Sequence, residues 1–134
     1  MVQMAVELRN IGGTEAALGW AGAHTLVVDR PAGKAGGQGL GFNGGQLLAL
    51  AIGGCFCNDL RTVAHARGIA LAGIAVKVTL DLAGEPLLAT GATMFVECDL
   101  PEGGDAQALI AEAERISTVA NSLRVGVPVR VSGA

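Results

Sequence analysis

The sequence predicts an α+β fold in which antiparallel strands pack on a long central helix. Residues 44–67 are long and apolar enough to form a buried helix. Residues 74–82 alternate apolar and polar side chains, as in a strand with one buried face, and residues 87–99 supply the returning strand. The predicted order, β-β-α-β-β-α-α-β, alternates too loosely for a doubly wound parallel sheet.

Two strands are predicted before the long helix, over residues 2–9 and 24–28. The second alternates with a period of two, and Asp29-Arg30-Pro31 ends it because proline cannot donate to a strand ladder. Residues 32–43 form a glycine-rich loop. Asn43 is the predicted N-cap of the helix, since its side chain accepts from an unpaired helical N–H.

The central helix is predicted to end at Gly68, a favourable residue just past a helix C terminus. Its first half, residues 46–57, is apolar on every side, which predicts burial on every side. Its second half is amphipathic. The pair Gly53-Gly54 predicts the close approach of another backbone, since glycine otherwise weakens a helix by up to ~1 kcal/mol relative to alanine.

The C-terminal part is predicted to hold a hairpin turn at residues 83–86, two helices and a closing strand. Asp105 is the predicted cap of the first of these helices. Ser117-Thr118 is predicted to cap a short third helix through Leu123, and residues 127–131 form the closing strand. The apolar stripe of the Asp105-capped helix consists of Ala106, Leu109, Ile110, Ala113 and Ile116.

Composition favours one domain that associates with another chain. The 134 residues include 21 glycines, 51% are hydrophobic and only 16% are charged. Globular chains carry about 25% charged residues, and disordered chains are far less apolar than this one. Since a small monomer needs a water-compatible surface, this composition favours obligate association.

Several partners and compartments are disfavoured. Nine Lys and Arg against twelve Asp and Glu give a net charge of −3, which offers no basic surface for nucleic acid. No run reaches the ~18 apolar residues of a membrane span, and the start resembles no secretory signal. Three cysteines without a disulfide-scaffold spacing favour a reducing, cytoplasmic setting. We therefore expect neither nucleic acid nor membrane as a partner.

The cysteines by themselves predict core packing. Cys55 and Cys57 lie roughly 200° apart around a helix, and they form no C-x-x-C motif. Cys98 shares the apolar face of its strand with Met94 and Val96. The cysteines and His65 have no recognised zinc spacing, and the glycine-rich loop departs from the phosphate-binding motifs. No metal or cofactor is predicted.

Two segments of the chain carry recognisable motifs. The first begins at Asp29-Arg30-Pro31 and continues into Gly-Phe-Asn-Gly-Gly-Gln-Leu-Leu-Ala-Leu-Ala-Ile-Gly-Gly-Cys-Phe, residues 41–56. The second is residues 113–123 with Gly-Val-Pro-Val at 126–129. Together they resemble the OsmC/Ohr family of thiol-dependent hydroperoxide reductases. The resemblance implies a single OsmC-like domain over residues 1–134. It also implies an intertwined homodimer whose sheets wrap around two long buried helices.

The resemblance places Cys55 at the peroxidatic cysteine, whose thiolate attacks a peroxide oxygen and becomes a sulfenic acid. The second family cysteine is replaced by Ser117, which cannot form the resolving disulfide. The resemblance therefore implies a one-cysteine cycle completed by an external thiol. A glutamate that holds an activating arginine in the family is absent from Asn43-Gly44-Gly45. Arg9 is the nearest replacement for that arginine and Arg61 a more distant one, although Arg9 fits a solvated strand position equally well.

The sequence is compatible with two functions. The chain either reduces organic hydroperoxides through Cys55, in a response to oxidative stress, or is a non-catalytic dimer whose apolar cleft binds a small hydrophobic ligand. The retained Cys55 favours the first. The loss of the second cysteine and of the glutamate favours the second, because a buried thiol without a nearby cation stays protonated and inert.

Overall fold

The computed structural model describes residues 1–101 and 103–133, and its elements confirm an α+β fold with antiparallel sheets and a long central helix. The chain divides into two compact units, Met1–Leu48 and Ala49–Ala134, and the long helix begins in the first and continues in the second. The elements are β1 (Glu7–Asn10), β2 (Ala17–Ala21), β3 (His24–Val28), α1 (Gly44–Ala66), β4 (Gly73–Ala83), β5 (Leu88–Asp99), α2 (Ala106–Ile116) and α3 (Thr118–Val125).

The first unit is built on a three-stranded antiparallel sheet in the order β1-β2-β3. Strand β2 is central, with Trp20 opposite Glu7 on one side and Thr25 on the other. The sequence prediction missed this strand, because Ala-Leu-Gly-Trp-Ala has low strand propensity and no regular alternation. The prediction for residues 2–9 is also wrong in extent, since the strand begins only at Glu7.

The glycine-rich loop of the first unit is closed by the buried carboxylate of Asp29. The backbone N–H groups of Gln38 and Leu40 donate to Asp29 Oδ2 at 3.0 and 3.1 Å, and the N–H of Arg30 donates to Oδ1 at 2.8 Å. A side chain at Gly41 would overlap the Val27 carbonyl oxygen, which explains glycine there. The chain's own carboxylate thus takes loop amides that a phosphate would need.

The Asp29 carboxylate is expected to make stability depend on pH. The hydrogen bond from the Leu40 N–H is the main cause that holds the pKa of Asp29 below its usual range, against the opposing effect of burial; the N–H groups of Gln38 and Arg30 lower it further. A lowered folded-state pKa stabilises the fold above the unfolded value, and this stability is lost as the pH falls below about 4 and through the folded pKa.

We therefore expect Asp29→Asn to lower the Tm near neutral pH, since an amide offers one acceptor oxygen instead of two. The difference from wild type should shrink on acidification to about pH 3. Thermal unfolding followed by circular dichroism measures both. The exposed Asp81→Asn variant is the matched control, and equal Tm values for wild type and Asp29→Asn near pH 7 would contradict the role of this carboxylate.

The second unit is held together by one buried face of α1. Its buried residues Phe56, Leu60 and Val63 form one cluster with Leu109 and Ala113 of α2. Partly buried residues of the two-stranded β4-β5 sheet pack against this cluster, namely Ile74, Met94, Val96 and Cys98. The prediction that Cys98 shares the apolar face of its strand is confirmed.

Gly53 of α1 is buried against β4. A Cβ atom built there would lie 2.9 Å from Cγ2 of Val78, closer than side chains normally approach. The glycine therefore admits the Val78 side chain, whereas the sequence predicted the approach of a backbone. Gly54 is exposed and meets nothing within 4 Å, so close packing explains only the first glycine of the pair.

The residues predicted to cap the helices lie at the helix ends, and in three of four cases they act as caps. The N–H of Gln46 donates to Asn43 Oδ1 at 2.9 Å, and the N–H of Asn43 donates to Gln46 Oε1 at 3.0 Å. Gly68 turns the chain at φ +67°, and the N–H of Gln107 donates to Asp105 Oδ1 at 2.9 Å. Ser117 takes the N-cap position of α3, as predicted, but its side chain makes no hydrogen bond to the helix.

Two predictions about apolar segments are wrong for the single chain. The first half of α1 is not buried on every side, because Leu50 is 47% exposed. Residues 127–131 form no strand, and Val127, Val129 and Val131 are 60–94% exposed. A strand needs a neighbour to hydrogen-bond with, and these residues belong to neither sheet of the described chain.

By length and composition alone, α1 would suffice to cross a membrane, and no other helix within residues 1–101 and 103–133 would. Core helices of globular proteins meet the same criterion. Since Phe56, Leu60 and Val63 lie in the hydrophobic core, α1 serves the second unit as a core helix.

Candidate active site

The candidate nucleophile, Cys55, lies near the middle of α1 and is half-buried in the second unit. One helical turn later, at i+4, the side chain of Asp59 projects from the same face of the helix. The Cys55 thiol donates to Asp59 Oδ2, with 3.6 Å between sulfur and oxygen. The sulfur is therefore in contact with a partly buried carboxylate.

Ser117 provides the second polar contact of the thiol. Its hydroxyl donates to Cys55 Sγ across 4.0 Å, although the two residues are 62 positions apart in the sequence. Ser117 is completely buried at the junction of α2 and α3. Its N–H donates to the Glu114 carbonyl, and its own carbonyl accepts from the N–H of Asn121. These bonds fix the backbone that presents the hydroxyl to the sulfur.

The predicted cations are placed as follows. Arg9 lies on β1 in the first unit, where its guanidinium stands 6.0 Å from the centre of the Trp20 ring, a cation–π contact. Arg61 lies on α1 in the second unit and donates to the Leu71 carbonyl at 3.2 Å. Within the second unit, the described hydrogen-bond partners of Cys55 Sγ are a carboxylate and a hydroxyl, neither of them a cation.

The two other cysteines differ from Cys55 in their surroundings. Burial raises the pKa of the Cys98 thiol, and the Asp99 carboxylate raises it further, against a smaller opposing effect of Arg61. Both effects favour the protonated, less nucleophilic form of the Cys98 thiol. Cys57 is half-buried and points away from Cys55, because two helical positions turn the side chain by roughly 200°. All three cysteines are free thiols in the described chain.

A cavity of about 610 Å³ lies beside α1 in the second unit. Apolar side chains form most of its wall, among them Phe56, the residue that follows Cys55. Its polar edge carries an ion pair between Glu114 and Arg124, at 3.1 Å. The cavity therefore offers an apolar interior and one charged edge. No group of three or more His, Cys, Asp or Glu side chains suited to a metal ion occurs among residues 1–101 and 103–133.

Sequence reasoning missed Asp59 as a neighbour of the thiol. The available signal was its spacing, since a residue four positions after Cys55 lies on the same helix face. That signal is weak, because i,i+4 pairs of polar residues are common on helices. The orientation of the thiol toward the carboxylate becomes visible only in the folded chain.

Antiparallel sheets, a long central helix and a half-buried thiol beside a buried hydroxyl define the class as an α+β protein with a thiol site. A comparison with family models matches residues 36–132 to the family described as OsmC-like protein. The chain belongs to this family. A comparison with curated proteins finds no significant relative.

Solved structures support the assignment of the fold. The OsmC-like protein of Mycoplasma pneumoniae superposes with a TM-score of 0.76 at 15% identity, covering 92% of this chain and 88% of the other. An organic hydroperoxide resistance protein OsmC from Legionella pneumophila gives 0.68 at 22% identity, covering 92% and 90%. The organic hydroperoxide resistance protein OhrB of Bacillus subtilis gives 0.63 at 22% identity, covering 92% and 91%. At these identities the likeness establishes the OsmC-like fold alone.

Proposed function

We propose that this chain reduces organic hydroperoxides through the Cys55 thiol in a one-cysteine cycle. The observation that carries the proposal is the contact between Cys55 Sγ and Ser117 Oγ at 4.0 Å. The resemblance to thiol-dependent reductases implies a second thiol at position 117, and this contact supports that pairing. Structural neighbours described as organic hydroperoxide resistance proteins support the substrate class.

The proposed cycle has two stages. The Cys55 thiolate attacks the terminal oxygen of the hydroperoxide, an S–O bond forms as the O–O bond breaks, and an alcohol leaves. Cys55 is thereby oxidised to a sulfenic acid. An external thiol then attacks the sulfur and releases water, and a second thiol equivalent breaks the mixed disulfide and restores Cys55. The Ser117 hydroxyl cannot act as the resolving nucleophile, because it forms no disulfide.

The test of this function is consumption of cumene hydroperoxide by the purified protein with a small dithiol as reductant. We expect alcohol to form in proportion to the dithiol oxidised. With the dithiol omitted, one equivalent of hydroperoxide should leave a sulfenic acid on Cys55, which dimedone traps for mass spectrometry. A protein that consumes no hydroperoxide would contradict the proposal.

We also propose that the active form is an intertwined homodimer of a single domain in the cytoplasm. A single chain exposes Leu50 of α1, Phe95 of β5 and the alternating valines of residues 127–131. A second copy would remove this apolar surface from water and give the C-terminal segment a strand to pair with. The family match crosses the boundary between the two compact units, which supports one domain.

Sedimentation velocity in dilute solution is expected to show a dimer, and a monomer would contradict the proposed homodimer.

A second candidate function is binding of a small hydrophobic ligand without catalysis. The observations that favour it are the apolar cavity of about 610 Å³ and the absence of a cation among the described second-unit partners of Cys55. Arg9 as the activating cation stays a prediction. Rapid Cys55-dependent hydroperoxide consumption would decide for the reductase, whereas ligand binding that survives Cys55→Ser in a protein without that activity would decide for the binding function.

A further inference from the structure

The Asp59 carboxylate contacts the Cys55 sulfur. The one-cysteine cycle described above gives this carboxylate no role. Asp59 is partly buried, and Cys55 is the one side-chain or backbone donor recorded for it within residues 1–101 and 103–133. Other carboxylates serve the fold: the buried Asp29 closes a loop, and the partly buried Glu112 pairs with Arg115. Asp59 instead accepts the hydrogen bond of the Cys55 thiol.

Hydroperoxide reduction by a thiol involves two proton transfers. The thiol must lose its proton before the sulfur can attack, and the departing alkoxide must gain one, since an alkoxide is a poor leaving group. A carboxylate within reach of the sulfur can perform both transfers. The Ser117 hydroxyl also donates to the sulfur, but it is too weak an acid or base to replace the carboxylate.

We propose that Asp59 is the general base and general acid of the Cys55 reaction, an inference that rests on the proposed reductase function. The thiol proton passes to Asp59 Oδ2, and the resulting thiolate attacks the terminal oxygen of the hydroperoxide. The O–O bond breaks, the sulfur is oxidised by two electrons, and the same proton passes to the alkoxide to give the alcohol. The terminal oxygen keeps its own hydrogen, so Cys55 becomes a sulfenic acid and Asp59 is ionised again.

This role separates two reactions of the same sulfur. Reduction of cumene hydroperoxide needs a proton for its leaving group, whereas alkylation by iodoacetamide releases iodide, which needs none. An amide at position 59 removes the proton carrier and also removes a negative charge close to the thiolate. Both reactions use the thiolate, which also forms by proton exchange with water, and loss of the nearby negative charge favours it. The amide should therefore slow the first reaction, which alone needs a proton for its leaving group, and leave the second unchanged or faster.

The experiment compares wild type with Asp59→Asn in single-turnover reactions with both reagents. We expect Asp59→Asn to reduce the rate of hydroperoxide reduction about 100-fold, in the range usual for general acid–base catalysis. Alkylation of Cys55 should not slow. Asp59→Glu, which keeps a carboxylate, should retain a larger share of the hydroperoxide rate than Asp59→Asn, and the exposed Asp81→Asn should match wild type in both.

Each other outcome overturns the inference in a distinct way. An equal loss in both reactions would show that Asp59 only maintains the structure around the thiol, and circular dichroism would reveal unfolding as its source. An unchanged hydroperoxide rate in Asp59→Asn would overturn the role of Asp59 while leaving the reductase function in place. A wild type that is alkylated at Cys55 but reduces no hydroperoxide would overturn the reductase function and this role together.

Discussion

Cys55→Ser is expected to abolish hydroperoxide consumption, whereas Cys98→Ser should leave it largely intact. A serine hydroxyl stays protonated near neutral pH and is not oxidised by hydroperoxides, so the variant loses the nucleophile itself. Cys98 packs on the core face of β5, and burial raises the pKa of its thiol, which favours the protonated, less nucleophilic form. The two variants therefore remove thiols of the same chain with opposite consequences.

The measurement is the initial rate of cumene hydroperoxide loss with the external dithiol in excess. Thermal unfolding of both variants checks that the fold is retained, because Cys98→Ser places a hydroxyl beside apolar neighbours. Cys57→Ser is a further control, since Cys57 is also half-buried on α1 but faces away from the site. Consumption by Cys55→Ser at the wild-type rate would refute Cys55 as the nucleophile.

The helix caps show which parts of the fold the sequence could predict. Asn43 with Gln46, Gly68 and Asp105 with Gln107 act within a few residues of each other, so their hydrogen bonds depend on local spacing. The same locality explains the accurate bounds of α1. Ser117 has the residue type of a cap, but its hydroxyl contacts a sulfur that lies 62 positions away. A contact across such a separation cannot be derived from propensity.

The strands, unlike the helix caps, could not be predicted reliably from local sequence. Strand β2 forms because β1 and β3 pair with both of its edges, even though Ala-Leu-Gly-Trp-Ala has low strand propensity. Residues 127–131 have the alternation of a strand, but in the single chain they stand outside both sheets. Strand formation depends on a partner supplied by another part of the structure, and alternation alone does not provide one.

The site was predictable only through the family resemblance. Composition favoured core packing for Cys55, and the resemblance alone paired it with position 117. The folded chain brings Ser117 to the Cys55 sulfur, as the resemblance implies. It also brings Asp59 to that sulfur, a contact that the sequence did not predict. The glutamate that the resemblance implies before the helix has no counterpart at Asn43-Gly44-Gly45, and the carboxylate in contact with the thiol in the second unit is Asp59 of α1.

Ser117→Cys is expected to convert the one-cysteine site into a two-cysteine site. The oxygen of Ser117 lies 4.0 Å from Cys55 Sγ, and a disulfide requires about 2.0 Å, so a side-chain rotation at either residue must close the gap. Once Cys55 is oxidised, the introduced thiol attacks its sulfur and releases water. One equivalent of hydroperoxide should then yield an intramolecular disulfide and no dimedone-reactive sulfenic acid.

The disulfide should also raise the stability of the oxidised protein. Closing a loop of 62 positions removes conformational entropy from the unfolded chain worth about 4 kcal/mol at most, less any strain in the bond. A higher Tm on oxidation, reversed by dithiothreitol, and intact mass under non-reducing conditions measure this. Thr118→Cys, one residue further along and exposed, is the matched control and should form no such bond. If oxidised Ser117→Cys keeps a sulfenic acid beside a free thiol, the hydroxyl of Ser117 does not mark the position of a resolving cysteine.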